Sequence, residues 1–315
     1  KRKEKIAFHC SMREQDVISA PDIKSIYEVP INFEKDKISD TLLEKLSLKP
    51  RHQQLGYWKK MVARITRATK SVKIGIVGKY FGTGDYVLAD SYISVIEGVK
   101  HAAGHANIKP EINWLNAEDY DPTINAEYRA KLKDLQKYDG IIVPGGFGAR
   151  GVEGKIKTIE FCRKNKVPFL GLCYGLQMAV IEFARHVGEL KNAHTTEVDA
   201  DTKYPVIHTM LDQIENLNKK QMGGTMRLGS YTCALAPNTI AFRAYGGQKI
   251  IVERHRHRYE VNNEYRDLLE EKGMVFSGTN PDKNLVEIME LKDHPFFLGT
   301  QFHPEFKSRP LSPHP

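Results

Sequence analysis

No stretch of this sequence approaches the roughly 20 consecutive apolar residues that a membrane-spanning helix needs. The basic start, Lys1-Arg2-Lys3-Glu4-Lys5, is not followed by the apolar core of a signal peptide. Both absences argue for a soluble, cytoplasmic chain with no membrane partner. Cysteine is scarce too: Cys10, Cys162, Cys173 and Cys233 stand among 315 residues. They show neither close metal-ligand spacing nor a dense disulfide framework, which fits a reducing compartment and no metal site. There is no G-x-x-x-x-G-K-[ST] segment, so the chain cannot supply phosphoryl chemistry on its own. Gly75, Gly78, Gly82 and Gly84 miss the G-x-G-x-x-G spacing, and no acid follows a clear second strand, which argues against a dinucleotide site. Repeats and low-complexity tracts are absent as well.

What is present is a chain of 41% hydrophobic and 27% charged residues, enough for one good core plus a smaller unit. The net charge is +8, and its clusters lie in the N-terminal tail and in the 254–258 run, not along one aromatic-studded surface. Anionic small molecules, nucleotide phosphates among them, explain it as well as nucleic acid does. Residues 1 to about 48 carry two short strand-like pieces and a helix from Ile38 to Leu46. Tyr57 to Ala68 repeats apolar residues at Trp58, Met61, Val62 and Ile65, an amphipathic helix. The domain junction is expected at about residue 70. A strand, Val72 to Gly78, then opens an alternation: helix 91–103, strand 111–115, helix 127–135, strand 141–143, helix 155–165, strand 167–170, helix 178–187. That spacing predicts a mostly parallel sheet flanked by helices, with reactive residues at the carboxyl ends of the strands. From about 205 to 300 short strands predict an antiparallel extension carrying the sheet toward His303.

Three segments carry chemistry. Gly171-Leu172-Cys173-Tyr174-Gly175 places a cysteine between glycines at a strand-to-helix corner, the arrangement of a nucleophile elbow. A Cβ on either side would clash with the neighbouring strand or helix, and the helix N-terminus favours thiolate over thiol. The alternative is a buried structural cysteine. Gln301-Phe302-His303-Pro304-Glu305 offers a base and its orienting acid, two apart and so on the same side of an extended segment. Singly they read as a turn histidine and a surface acid. Ile141-Ile142-Val143-Pro144-Gly145-Gly146-Phe147-Gly148 is a buried strand opening into bare backbone amides, able to hold an oxyanion or to serve as an ordinary turn. In Arg254-His255-Arg256-His257-Arg258-Tyr259-Glu260, alternation separates 254, 256 and 258 from 255 and 257. The run is a solvated basic face or holds a substrate carboxylate through a guanidinium; metal binding lacks nearby acid or thiol ligands.

These segments resemble the elbow, base segment and oxyanion loop of class I glutamine amidotransferases, whose fold is flavodoxin-like. Ala193-His194-Thr195-Thr196-Glu197, Gly223 to Gly229 and Glu253 to Val261 narrow the resemblance to the CTP synthase family. Lys5 to Phe8 and Ser25 to Pro30 resemble the end of that family's amidoligase domain. The resemblance implies residues 1–70 as the remnant of that domain with a linker helix, and 71–315 as the amidotransferase domain. It implies hydrolysis of glutamine by Cys173, His303 and Glu305 through a thioester, with the amides of Gly146 and Tyr174 receiving the oxyanion. Gly146, Tyr174, Gly175, Leu176, Gln177, Glu197 and Arg258 would bind glutamine, Glu197 the α-ammonium and Arg258 the α-carboxylate.

In the family the ammonia aminates UTP to CTP, with ATP and Mg²⁺ bound in an amidoligase domain that carries the phosphate loop. GTP is the implied effector, with Phe147 and Arg227 as candidate contributors, and the implied assembly is a homo-oligomer, a tetramer. Lys5 would touch the pyrimidine nucleotide, and Ile23, closing the Pro21 to Ile23 stretch, the adenine. Three departures stand out. Tyr174 occupies a position usually held by leucine, of little effect if only its N–H acts. The loop Phe81 to Ala89 before Asp90-Ser91-Tyr92 is longer than the family's, and residues 308–315 end where relatives continue into a closing helix. The competing readings are a γ-glutamyl hydrolase or peptidase of the same fold, and a non-catalytic regulatory module.

Overall fold

Ile141 and Val143 pack into one apolar cluster and Ile142, between them, into another, so the strand they form is buried on both faces. In the computed structural model, residues 1–51, 55–79, 92–209 and 226–315 are described, with the backbone of 82–83 and 86–87. Gly223 to Thr225, Asp90-Ser91 and most of Phe81 to Ala89 lie outside the described residues. The chain divides into two compact units, residues 70–103 with 109–315, and residues 1–69 with 104–108.

The larger unit is built on a nine-stranded sheet. Its strands are β1 (Ser71–Gly78), β4 (Lys109–Asn116), β5 (Gly140–Val143), β6 (Phe169–Leu172), β9 (Arg227–Leu235), β10 (Ile250–His257), β12 (Met274–Thr279), β13 (Val286–Leu291) and β14 (Phe297–Thr300). Across the sheet they run β10-β9-β12-β13-β14-β6-β5-β1-β4. Neighbours from β4 to β14 are parallel, in the 2-1-3-4-5 order of flavodoxin-like sheets, and those from β14 to β10 are antiparallel. The parallel half and the antiparallel wing both follow the sequence expectation. A hairpin, β2 (Gly82–Thr83) with β3 (Tyr86–Val87), and a small sheet of β7 (His194–Thr195), β8 (Pro205–Thr209) and β11 (Tyr259–Val261) complete the strands described.

Helices cover both faces. Val95 and Val99 of α5 (Ile93–His105) pack on Ile76, Ile142 and Leu172. On the opposite face, α7 (Val152–Asn165) and α8 (Tyr174–His186) bury Ile156, Ile159, Leu176 and Val180 in the main core. The predicted helix at 127–135 is α6 (Tyr128–Lys133) followed by a 3₁₀ turn. Short α9 (Ile240–Ala244) and α10 (Arg266–Glu271) cap the antiparallel wing.

The smaller unit holds α1 (Arg2–His9), α2 (Val29–Lys35), α3 (Ile38–Lys45) and α4 (Gly56–Arg67), with Ile31 of α2 and Ile65 of α4 packed on a buried cluster of Tyr27, Met61 and Val62. Trp58 packs edge-on to Tyr27 and donates its indole N–H to the Tyr27 carbonyl at 2.7 Å. The two strand-like pieces expected here are not strands. Lys5 lies on α1, exposed, and 26–28 is a 3₁₀ turn. The described residues of this unit contain no strand to pair with, so local hydrogen bonds, i→i−4 in α1 and i→i−3 in the 3₁₀ turn, satisfy the backbone instead.

Candidate active site

Cys173 is the hinge between β6 and α8, at φ 51° and ψ −96°, a backbone that a side-chain-bearing residue rarely adopts. The corner is sharp because its flanks are glycine. A Cβ on Gly171 would lie 2.7 Å from the Gly175 carbonyl, and one on Gly175 only 2.1 Å from the Val143 oxygen. The Cys173 N–H donates to Thr300 at 2.6 Å, tying the elbow to β14. The thiol is buried but opens onto a cavity of about 520 Å³.

β14 runs parallel to β6 with Thr300 opposite Leu172, so the segment after β14 emerges beside Cys173. That register carries His303 to the sulfur across 130 positions (173 to 303). His303 Nδ1 is 2.7 Å from Glu305 Oε1, which leaves Nε2 for the thiol. Its ring stacks on Phe306 with centroids 4.7 Å apart, and its main-chain N–H donates to the Arg254 carbonyl. Burial disfavours the imidazolium, but attraction and hydrogen bonding to Cys173 and Glu305 win, pushing the pKa up to about 10. Gly145 lets the oxyanion loop pass this close: a Cβ there would sit 2.8 Å from His303 Cε1.

The loop 144–148 is held from below by side chains. Lys79, just beyond β1, donates to the carbonyls of Phe147 and Gly148. Tyr174 donates its hydroxyl to the Gly148 carbonyl at 2.7 Å, and Glu197 accepts from the Gly148 N–H at 2.8 Å. Lys155 is fully buried 4.9 Å from the Tyr174 ring centroid; burial, with Lys79 nearby, lowers its pKa to about 7. Burial likewise pushes the Glu197 carboxyl up.

Cys173, His303, Gly146, Gln177, Glu197 and Arg258 share the cavity wall. Glu305 stands behind His303. Tyr174, Gly175 and Leu176 do not line it: the Tyr174 ring lies under the oxyanion loop, Gly175 is pressed against Val143, and Leu176 is in the core. Lys5 and Ile23 belong to the smaller unit, Lys5 exposed and Ile23 half-buried.

Alternation in β10 holds as expected through His257, with Arg254 and Arg256 exposed and His255 and His257 buried. The buried face joins Arg227, which lies 3.5 Å from Glu260 and 2.5 Å from Glu287 and stacks on Tyr231. An Arg227 so enclosed, 4% exposed, cannot reach an effector, whereas Phe147 stands 68% exposed at the cavity rim. Among the described residues no three His, Cys, Asp or Glu side chains are grouped to hold a metal.

Sequence reasoning missed four side chains: Lys79, Lys155, the Tyr174 hydroxyl and Gln301. Gln301 was within reach of it, since an extended segment puts residue 301 on the same side as 303. A buried lysine inside a helix leaves no local trace.

The fold, the elbow and the paired imidazole and carboxylate together define a class, and the comparisons agree. The model of glutamine amidotransferase class-I matches residues 87–315, so the chain belongs to the class-I glutamine amidotransferase family. Residues 1–48 match the model of the CTP synthase N-terminus. CTP synthases of Microcystis aeruginosa (48% identical) and Carboxydothermus hydrogenoformans (49%) align over 99% of this chain and 55% and 56% of their own. The chain thus spans about half the length of these curated relatives. A solved structure of the Trypanosoma brucei CTPS glutaminase domain with bound acivicin is 33% identical, with a TM-score of 0.70 over 78% of this chain and 90% of that one. Within its family the chain is of the CTP synthase type, spanning the glutaminase domain and a short N-terminal segment.

Proposed function

We propose that this chain hydrolyses glutamine through a thioester on Cys173 and, in the complete enzyme, supplies the ammonia that converts UTP to CTP. The observation that carries the reading is the elbow thiol hydrogen-bonded to an imidazole whose other nitrogen is held 2.7 Å from Glu305. Arg258 and Glu197 on the cavity wall suit the α-carboxylate and α-ammonium of glutamine, with the side-chain amide directed at the sulfur. The thiolate attacks the amide carbon, the oxyanion receives hydrogen bonds from the Gly146 and Tyr174 amides, and His303 protonates the departing ammonia. Water, deprotonated by His303, then cleaves the thioester to glutamate. Glu305 holds the imidazole orientation and its positive charge. Losing one oxyanion donor costs about 3 kcal/mol in comparable sites.

The same proposal assigns ATP and Mg²⁺ to the amidoligase domain, GTP to the effector role, a cytoplasmic homo-oligomer to the assembly, and the domain junction to about residue 70. Its support is the match of residues 1–48 to the N-terminal family model. The test is ammonia release from glutamine by this chain, alone and with a phosphate-loop-bearing N-terminal partner. Activity should vanish in Cys173→Ala, and a glutamine-analogue electrophile should label Cys173 in the unsubstituted chain. A Cys173→Ala chain that hydrolysed glutamine at the unsubstituted rate would refute the assignment.

A further inference from the structure

The register that brings His303 to the thiol also delivers a second side chain. Gln301 follows Thr300, the residue opposite Leu172, and so stands abreast of Cys173; like His303, it points to the sulfur's side of the segment. It is fully buried, its main-chain N–H donates to the Glu287 carbonyl, and its Nε2 lies 3.7 Å from Cys173 Sγ.

The chemistry of its neighbours fixes which end of the amide faces the sulfur. Gln177 Nε2 lies 2.8 Å from the Tyr259 carbonyl, which can only accept, so that end of Gln177 is its NH₂. The same NH₂ lies 3.3 Å from Gln301, so the atom it meets there is the Gln301 carbonyl oxygen. Gln301 is thereby left with its N–H directed at Cys173. The order Tyr259 carbonyl, Gln177, Gln301, Cys173 forms one relay of amides. It begins at the residue next to Arg258 and ends on the nucleophile.

We propose that Gln301 is a catalytic residue: its oriented N–H donates to Cys173 Sγ and stabilises the thiolate, both before attack and as the leaving group of the second step. The inference rests on the thioester reading above. In the first step the sulfur pair forms the C–S bond, the C–N bond breaks, and ammonia leaves with the proton from His303. In the second, water adds to the thioester and passes a proton to His303. The C–S bond then breaks, and its electron pair returns to a sulfur that Gln301 still addresses. A donor strengthens with the charge on its acceptor, so Gln301 favours the two ends of the cycle over the neutral thioester between them.

The experiment uses the whole chain and Gln301→Met, similar in size but with no N–H. Alkylation by iodoacetamide is followed on the peptide bearing Cys173, because Cys10 is exposed and reacts as well. Loss of the donor should slow alkylation about tenfold at pH 7, with the deficit closing as pH rises, since only the thiolate reacts. The kcat for glutamine should fall by about the same factor while KM stays within about twofold. An alkylation–pH profile superimposable on that of the unsubstituted chain overturns the proposal. If Gln301→Met does not fold, Gln177→Met, which removes the orienting NH₂ and lets the Gln301 amide turn over, must give the same pH-dependent deficit or the proposal falls. A chain that alkylates at Cys173 yet never hydrolyses glutamine refutes the glutaminase reading, and the alkylation comparison still decides the role of Gln301.

Discussion

Two glycines and one strained cysteine set the geometry of the proposed nucleophile, and each has a measurable consequence. Gly175→Ala would put a methyl 2.1 Å from the Val143 carbonyl, backbone against backbone with nothing flexible to yield. It should destabilise the chain by about 3 kcal/mol or more and abolish glutamine hydrolysis, read by urea unfolding and ammonia release. His303 carries a second expectation. Its ordinary value of 6.5 rises to about 10 in the fold, so folding favours the protonated ring. That contribution is complete below pH 6.5 and is lost as pH rises through about 10. Unfolding free energy should therefore decline between those limits, and Cys173→Ala, which removes the sulfur partner, should flatten the slope. Both residues were legible in advance, because a glycine pair around a cysteine and an i, i+2 His-Glu pair are local patterns. Gln301 lay in the same segment but gained meaning only once Gln177 and Tyr259 had fixed its amide.

At the scale of elements, the oxyanion loop is a short connection whose rigidity is borrowed. Lys79 from the end of β1, Tyr174 from the first turn of α8 and Glu197 after β7 all bond to its backbone. The hydroxyl of Tyr174 thus does more than its main-chain N–H, which alone would have made the aromatic substitution neutral. Tyr174→Phe should lower kcat about threefold to tenfold with little change in KM, because one neutral hydrogen bond of about 1 kcal/mol is lost while Lys79 and Glu197 remain. The antiparallel wing holds the other consequence. Burial lowers His255 to about 2 and His257 to about 3, and it raises Glu287 to about 7 and Glu260 in the same direction. As pH falls below 6.5 the unfolded histidines take up protons that the native ones refuse, which destabilises. The native carboxyls take up protons before unfolded ones do, which stabilises until their ordinary 4.5. The two effects oppose between 4.5 and 6.5, and below 4.5 the histidines prevail. Glu287→Gln should therefore move the onset of acid destabilisation from about 4.5 toward 6.5 in a series of urea titrations.

Across the whole molecule, the site exists because the last strand returns to the middle of the sheet. Phe297 on β14 and Phe169 on β6 pack with ring centroids 4.5 Å apart, both essentially inaccessible to solvent, and join the strand that ends at Cys173 to the strand that leads to His303. Phe297→Ala should cost about 3–5 kcal/mol and depress glutamine hydrolysis far more than it changes α8. Thermal unfolding and activity, measured together, check this. The strand and helix order from 71 to 187 was readable from hydrophobic periodicity because each element there is long or strongly patterned. The two misread strand pieces near the N-terminus were short apolar runs, for which strand and helix look alike without a partner in view.

The sequence by itself determined the alternating elements, the glycine-flanked corner and the residue types of the triad, since each depends on neighbours only a few positions away. Only the tertiary structure decided that β14 lies beside β6, that Gln301 turns its N–H to the sulfur, that Tyr174 reaches Gly148, and that Arg227 is sealed between two glutamates. Those are contacts between residues dozens to more than a hundred positions apart. Sheet order and strand register, not local preference, set which of them meet.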